Sequence, residues 1–215
     1  MTIKNKQQSL TLASVFVLKS GYAKWEGYAS QRACGTITLI KSHKNCVVDL
    51  GLPADKDLLL TQLKTHGLHA EKIDYVILTH SDIDHIGNIN LFPHATFIGG
   101  NDVIQNDLFK EFFKEKYVVD ENITVIHTPG HDNRCISVLV STKKGIVAVT
   151  GDLFEYDKDW ETVDSSQAWE PWSQDKDLQM QSRETIWKLA HYIIPGHGNI
   201  FKVDKRIDLA KLSNK

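Results

Sequence analysis

The chain has 215 residues, 27 acidic against 25 basic side chains for a net charge of −2, and 41% hydrophobic content. That is enough apolar material for one sizeable core, so a single domain over residues 1–215 is expected. Thirteen Gly, five Pro and 24% charged residues exclude a disordered composition, and the balanced charge disfavours a nucleic-acid binder driven by net charge alone.

No apolar stretch near the start is long enough for a signal core, and no run approaches the roughly 18 apolar residues of a membrane span. A cytoplasmic protein without a membrane partner is the expectation. The predicted strands are short and rich in Val, Ile and Thr: Leu10–Leu18, Gly35–Ile40 and Asn45–Leu50 come first. A helix is predicted over Pro53–Thr65, with a Pro-Ala-Asp start and a stop before Gly67. Strands at Ile73–Leu78 and Thr96–Ile98 precede a second amphipathic helix over Asp102–Lys114. Ile123–Ile126, Ile136–Val140, Gly145–Val149 and Tyr192–Ile194 complete the strands. A helix over Asp175–Ala190 offers Leu178, Ile186, Trp187 and Leu189 for one buried face. The alternation implies an α/β layered fold. Two stacked sheets covered outside by helices suit both halves, and so does a doubly wound sheet.

Cys34, Cys46 and Cys135 are too few and too scattered for a disulfide framework. Cys46, inside the run Cys46-Val47-Val48, reads as a small buried hydrophobe. The ten histidines are more telling. Four segments share one grammar, in which an apolar run gives way to small residues and then to a metal-ligating side chain: Ile73–His80, Val125–His131, Gly145–Asp152 and Tyr192–His197. Ligands just past strand ends sit on a rigid scaffold and can converge on one rim of a sheet. The densest run is His80-Ser81-Asp82-Ile83-Asp84-His85-Ile86-Gly87-Asn88, whose imidazole and oxygen donors suit Zn²⁺, Fe²⁺ or Mn²⁺. His43, His66, His69, His94, His127 and His191 stand apart from this grammar and read as surface or hydrogen-bonded residues.

These residues resemble the metallo-β-lactamase superfamily, whose motif is His-x-His-x-Asp-His followed by a lone His, a bridging Asp and a final His. Here His131 follows His85 by 46 positions, Asp152 by another 21 and His197 by another 45. The spacing is similar to that of the branch containing glyoxalase II and lactonase-like hydrolases. The resemblance implies an αββα sandwich. It also implies a first metal site of His80, Asp82 and His131, a second of Asp84, His85 and His197, and Asp152 as the bridge. Asp84 would orient the water as the catalytic residue, and Asp49, in Val47-Val48-Asp49-Leu50-Gly51, would support a ligand from behind. Asp82 departs from the pattern, because it stands where the family has its second His. It lowers the formal charge of a two-cation centre by one, which acidifies bound water less and suits harder ions.

The resemblance implies a hydrolase with two zinc ions, or iron or manganese. A metal-bound hydroxide would attack an ester, thioester, lactone or similar small molecule. A metal-dependent endoribonuclease acting in RNA 3′-end processing is the alternative, and a metal-binding protein without turnover is a third. The segment from Asp152 to Asp177 holds nine acidic residues, two lysines and Trp160, Trp169 and Trp172. It reads either as a solvated loop or as a lid or homodimer contact beside the metals.

Overall fold

The computed structural model describes residues 12–27, 30–111, 115–161 and 168–209. In chain order, β1 (Ser14–Lys19), β2 (Tyr22–Trp25), β3 (Gln31–Cys34), β4 (Ile37–Lys41) and β5 (Asn45–Val48) precede helix α1 (Lys56–Thr65). Then come β6 (Tyr75–Leu78), the one-turn helix α2 (Ile83–Ile86), β7 (Thr96–Gly99), β8 (Asp102–Gln105) and β9 (Leu108–Glu111). The second half contains β10 (Lys116–Asp120), β11 (Ile123–His127), β12 (Ile136–Thr142), β13 (Gly145–Gly151), α3 (Lys176–Leu189), β14 (Tyr192–Pro195) and β15 (Phe201–Lys202).

One sheet has the order β1-β4-β5-β6-β7-β8-β9 and the other β10-β11-β12-β13-β14-β15, with β2 and β3 as a separate hairpin. The pairs β5–β6, β6–β7 and β13–β14 are parallel. Between the sheets, Ile40, Cys46, Val48, Ile77 and Ile98 of the first meet Val125, Val138, Val149 and Ile194 of the second. On the outer faces, Val47 and Val76 pack on Leu59 and Leu63 of α1, while Ala148 and Ile193 pack with Ile186 and Trp187 of α3. The fold is therefore an αββα sandwich. Because both faces of β5 are covered, Cys46-Val47-Val48 reads as a continuous apolar run instead of an alternation. Cys46 is fully buried, as a small hydrophobe should be. Among the described residues no helix is long and apolar enough to cross a membrane.

Three local expectations are corrected. The segment predicted as a helix over Asp102–Lys114 is the β8–β9 hairpin, with residues 112–114 outside the described residues. Gln105 pairs with Leu108 across the two-residue turn Asn106-Asp107, and Asn106 takes a φ of 55°, a left-handed conformation that Asn tolerates. In α3, Leu189 is exposed at 41%, and the buried stripe is Gln179, Ser182, Arg183, Ile186 and Trp187. Polar side chains fill part of that face because the neighbouring loop supplies their hydrogen-bond partners. The first predicted strand begins only at Ser14, because Ala13 bridges to Thr142 of the other sheet; residues 10–11 lie outside the described residues.

Candidate metal centre

The ends of β6, β13 and β14 and the loop after β11 meet at one rim of the sandwich. Leu78 leads to Thr79-His80, Gly151 to Asp152, and Pro195 to Gly196-His197. The structure brings together all seven residues expected from the sequence. His80, Asp82, His131 and Asp152 offer donor atoms within 4.8 Å of one another, and so do Asp84, His85 and His197. Asp152 lies between the two groups: its Oδ2 is 3.5 Å from His80 Nε2 and 3.1 Å from His197 Nε2, and its Oδ1 is 3.2 Å from His85 Nε2. His131 Nε2 is 3.8 Å from Asp152 Oδ2. Two donors each about 2.1 Å from a shared cation stand at separations of this order.

The buried atoms here fit a cation better than they fit each other. His80 Nε2, His85 Nε2, Asp84 Oδ2 and Asp152 Oδ1 are buried and make no hydrogen bond. Such orphans are rare in folded proteins and demand a partner. Meanwhile the outer ring nitrogens are engaged. Asp49 Oδ2 is 2.8 Å from His85 Nδ1, and the Cys34 carbonyl is 3.2 Å from His197 Nδ1. Protons on these Nδ1 atoms leave each Nε2 lone pair facing inward. Asp49 is itself fixed by the Thr79 amide and hydroxyl, at 2.8 and 2.7 Å.

Burial and the neighbouring His85 oppose protonation of His80, yet the Asp152 carboxylate pushes its pKa up to about 9. Burial likewise opposes protonation of His197, but Asp152, Glu155 and Asp84 raise it to about 10. His85 is buried too, and Asp152 and Asp49 hold it well above the ordinary value. Asp152, despite its burial, is held well below the carboxylate range by His197, His85 and His80. The centre thus calls for positive charge, which protons and metal cations compete to supply.

Asp82 is the odd member of the donor group in its surroundings as well as its identity. Its side chain is 62% exposed, and Oδ2 lies 3.6 Å from His80 Nε2 and 3.7 Å from His131 Nε2. The facing His131 and His80 rings hold its carboxyl well below the usual carboxylate range. The six other histidines lie outside these donor groups. His43 pairs with exposed Glu121, His66 packs on Phe16, and His191 Nδ1 accepts from the Ile146 amide.

Two glycines admit the close approaches. A Cβ at Gly196 would overlap the Asp152 carboxylate, and one at Gly87 would overlap the Leu52–Pro53 backbone. Gly196 has an ordinary φ, so space beside a ligand is what it supplies, beyond a turn.

The sequence reading missed Glu155. It is buried, and Asp152, Glu155 and His197 form a third donor group. Burial and Asp152 push its pKa up to about 8. The only signal was its position three residues after Asp152, inside an acidic run. Part of that run turns inward: Asp159 and Arg183 form a fully buried ion pair, and the Arg183 guanidinium lies over Phe154 and Trp169. Beside Glu155 and His197 opens a cavity of about 410 Å³, walled by Tyr22, Trp25, Tyr156 and Trp172. Trp25 and Trp172 stack with centroids 5.4 Å apart.

Residues 35–100 match the family model of the metallo-β-lactamase superfamily. The metallo-β-lactamase domain-containing protein 1 of Xenopus laevis is 39% identical over 208 residues, which cover 94% of this chain and 87% of the relative. The chain belongs to the metallo-β-lactamase superfamily. It is a metallo-hydrolase of that superfamily, and solved structures share its fold. A putative metallo-β-lactamase from Thermotoga maritima superposes with a TM-score of 0.68 at 18% identity, over 89% of this chain and 100% of that one. A dizinc quorum-quenching lactonase with a homoserine product bound has a TM-score of 0.59 at 17% identity, over 78% and 73%. Within the superfamily pattern, Asp82 in place of the second His is the departure.

Proposed function

We propose that this superfamily member hydrolyses an ester, thioester, lactone or related small molecule with two divalent cations, zinc foremost. His80, Asp82 and His131 would hold one, Asp84, His85 and His197 the other, and Asp152 would bridge. One observation carries the reading: imidazole and carboxylate donors from four separate chain segments form two groups, in each of which the donor atoms lie within 4.8 Å of one another, and several of the buried ones make no hydrogen bond.

Cations bound there would acidify water and polarise a scissile carbonyl. The chain's own residues supply the remainder. Asp84 Oδ2, buried and without a hydrogen bond, would orient a water and take its proton. Asp49 and the Cys34 carbonyl keep His85 and His197 in the tautomer that leaves Nε2 free. The 410 Å³ cavity beside His197 falls in the range that encloses a small molecule, and its aromatic wall offers apolar surface to an acyl or ring substituent. The lactonase among the fold neighbours supports the same substrate class.

Protein purified without added chelator should contain one or two metal equivalents by elemental analysis and should cleave members of an ester, thioester and lactone panel. His131→Ala and Asp152→Ala should lose metal and hydrolysis together. Retention of both properties in both variants rejects the assignment. Cleavage of single-stranded RNA by the parent but not by His80→Ala, with the panel untouched, would replace it with a nuclease.

A further inference from the structure

Glu155 is a buried carboxylate placed where the superfamily pattern requires none. Its backbone is clamped on both sides. The Glu155 amide donates to Asp159 Oδ2 at 2.9 Å, and its carbonyl accepts the His197 amide at 2.8 Å. Asp159 is in turn held by both terminal nitrogens of Arg183, which is itself fully buried and also donates to the Leu153 carbonyl. A nearby strut comes from Gln179, whose side-chain amide donates to the Asp152 carbonyl oxygen at 3.0 Å. Two polar residues of α3 therefore fix the whole turn from Asp152 to Glu155, and Glu155 is tied to the peptide of a metal-ligating histidine.

The carboxylate looks inward from this clamp. Glu155 Oε2 is 3.8 Å from His197 Nε2, and Asp152, Glu155 and His197 each present one donor atom within 4.8 Å of the others. Among the described residues, neither Lys nor Arg reaches the Glu155 carboxylate within ion-pair distance. Arg183, the nearby cation, is committed to Asp159. A buried carboxylate beside further carboxylates is unfavourable unless a cation or a proton compensates it.

Resting on the metal-dependent reading above, we propose that Glu155 is a further metal ligand, sharing the cation of Asp84, His85, His197 and Asp152. The centre then holds four carboxylates, Asp82, Asp84, Asp152 and Glu155, which balances the formal charge of two divalent cations. The second position becomes richer in oxygen than in nitrogen. Hard, higher-coordinate ions tolerate such a set better than a nitrogen-rich one, so the added oxygen narrows this position's preference for Zn²⁺ over Mn²⁺. Asp82 and Glu155 shift the centre in the same direction, one by replacing an imidazole and the other by adding an oxygen donor.

The test uses the full chain, stripped of metal and titrated with Mn²⁺, with free ion counted by its paramagnetic resonance signal. The parent should bind two equivalents. Glu155→Gln should keep one and bind the second at least about tenfold more weakly, with a smaller loss for Zn²⁺. Unchanged Mn²⁺ affinity in Glu155→Gln overturns the inference while leaving the metal-dependent reading intact. A parent that binds no Mn²⁺ or Zn²⁺ overturns both. Should Glu155→Gln fail to fold, crystals of the parent grown with Mn²⁺ decide: an anomalous peak within about 2.5 Å of a Glu155 oxygen supports the ligand role, and peaks confined to the other seven residues reject it.

Discussion

Asp49 Oδ2 stands 2.8 Å from His85 Nδ1, both groups buried, with the same carboxylate anchored by the amide and hydroxyl of Thr79. Asp49 also has a left-handed backbone, with φ at 55°, that turns the chain at the end of β5. A β-carbon in this conformation is disfavoured, and the hydrogen bonds made by the carboxylate offset that strain. The geometry fixes which ring nitrogen of His85 carries its proton.

Asp49→Asn tests that control. An amide NH₂ turned toward Nδ1 would force the His85 proton onto Nε2 and close the lone pair that faces Asp152. Metal affinity should fall by about 10- to 100-fold with little change in secondary structure, read by competition with a coloured chelator. Affinity equal to the parent's would show that Asp49 serves the fold and not the histidine.

Asp82→His restores a neutral nitrogen where this chain has an anion. Asp82 Oδ2 already lies near both His80 and His131, so the replacement ring has a place at the exposed side of the centre. The ratio of Zn²⁺ to Mn²⁺ affinity should rise by at least about tenfold, since imidazole suits Zn²⁺ and carboxylate suits Mn²⁺. Competition dialysis against both ions measures the ratio, and a constant ratio would remove Asp82 from the ligand set.

The convergence of these donors was legible because His80, His131, Asp152 and His197 each follow an apolar strand, as in Val149-Thr150-Gly151-Asp152 and Ile194-Pro195-Gly196-His197. Asp49 was legible only through family resemblance, since nothing in Val47-Val48-Asp49 itself says that its carboxylate reaches a ring 36 residues away. Glu155 was hidden by its neighbours. An acidic run reads as solvated, and only α3, with Gln179 and Arg183 on its buried face, turns that run inward. Hydrophobic periodicity cannot register a face made of such residues, which is also why Leu189 was placed on it. The Asp102–Glu111 hairpin was misread for a related reason. Its turn, Asn106-Asp107, is two residues long, and Val103, Ile104, Leu108 and Phe109 around it fit a helical spacing as readily as two short strands.

Arg183 and Asp159 form a fully buried pair at the heart of the α3 contact, and the two halves should behave unequally when altered. Arg183→Met strands a buried carboxylate, so stability should fall by about 3–5 kcal/mol, measured by urea unfolding. Replacing both partners with Leu removes the stranded charge, so the double variant should be markedly more stable than Arg183→Met alone. It should still lose metal affinity, because the Glu155 amide has lost its Asp159 acceptor. Equal unfolding midpoints for the single and double variants would mean that the pair carries no electrostatic coupling.

Behind the candidate centre, where the Cys34 carbonyl meets His197 Nδ1, the side chains of Lys19, Cys34 and Asp55 tie three elements together. Lys19 Nζ donates to Asp55 Oδ1 at 2.6 Å and to Cys34 Sγ at 2.8 Å, and Asp55 Oδ2 accepts the Leu52 amide at 2.9 Å. Burial works against ionisation of Asp55, but Lys19, the Leu52 amide and the Cys34 thiol outweigh it and hold the pKa below its ordinary value near 3.8. A depressed folded-state pKa stabilises the fold above the unfolded value, and the contribution is lost as pH falls through the lower folded value. Burial also opposes the charge on Lys19, yet Asp55 and Cys34 raise its pKa above 10.5, so its contribution is lost only in stronger alkali. Asp55→Asn should therefore lower stability by about 1.5–3 kcal/mol near neutral pH. The gap between parent and variant should stay constant from pH 5 to 9, within the limits set by those two pKa values, and close below about pH 4. A gap that persists undiminished into acid would show that the amide fails by shape and not by charge.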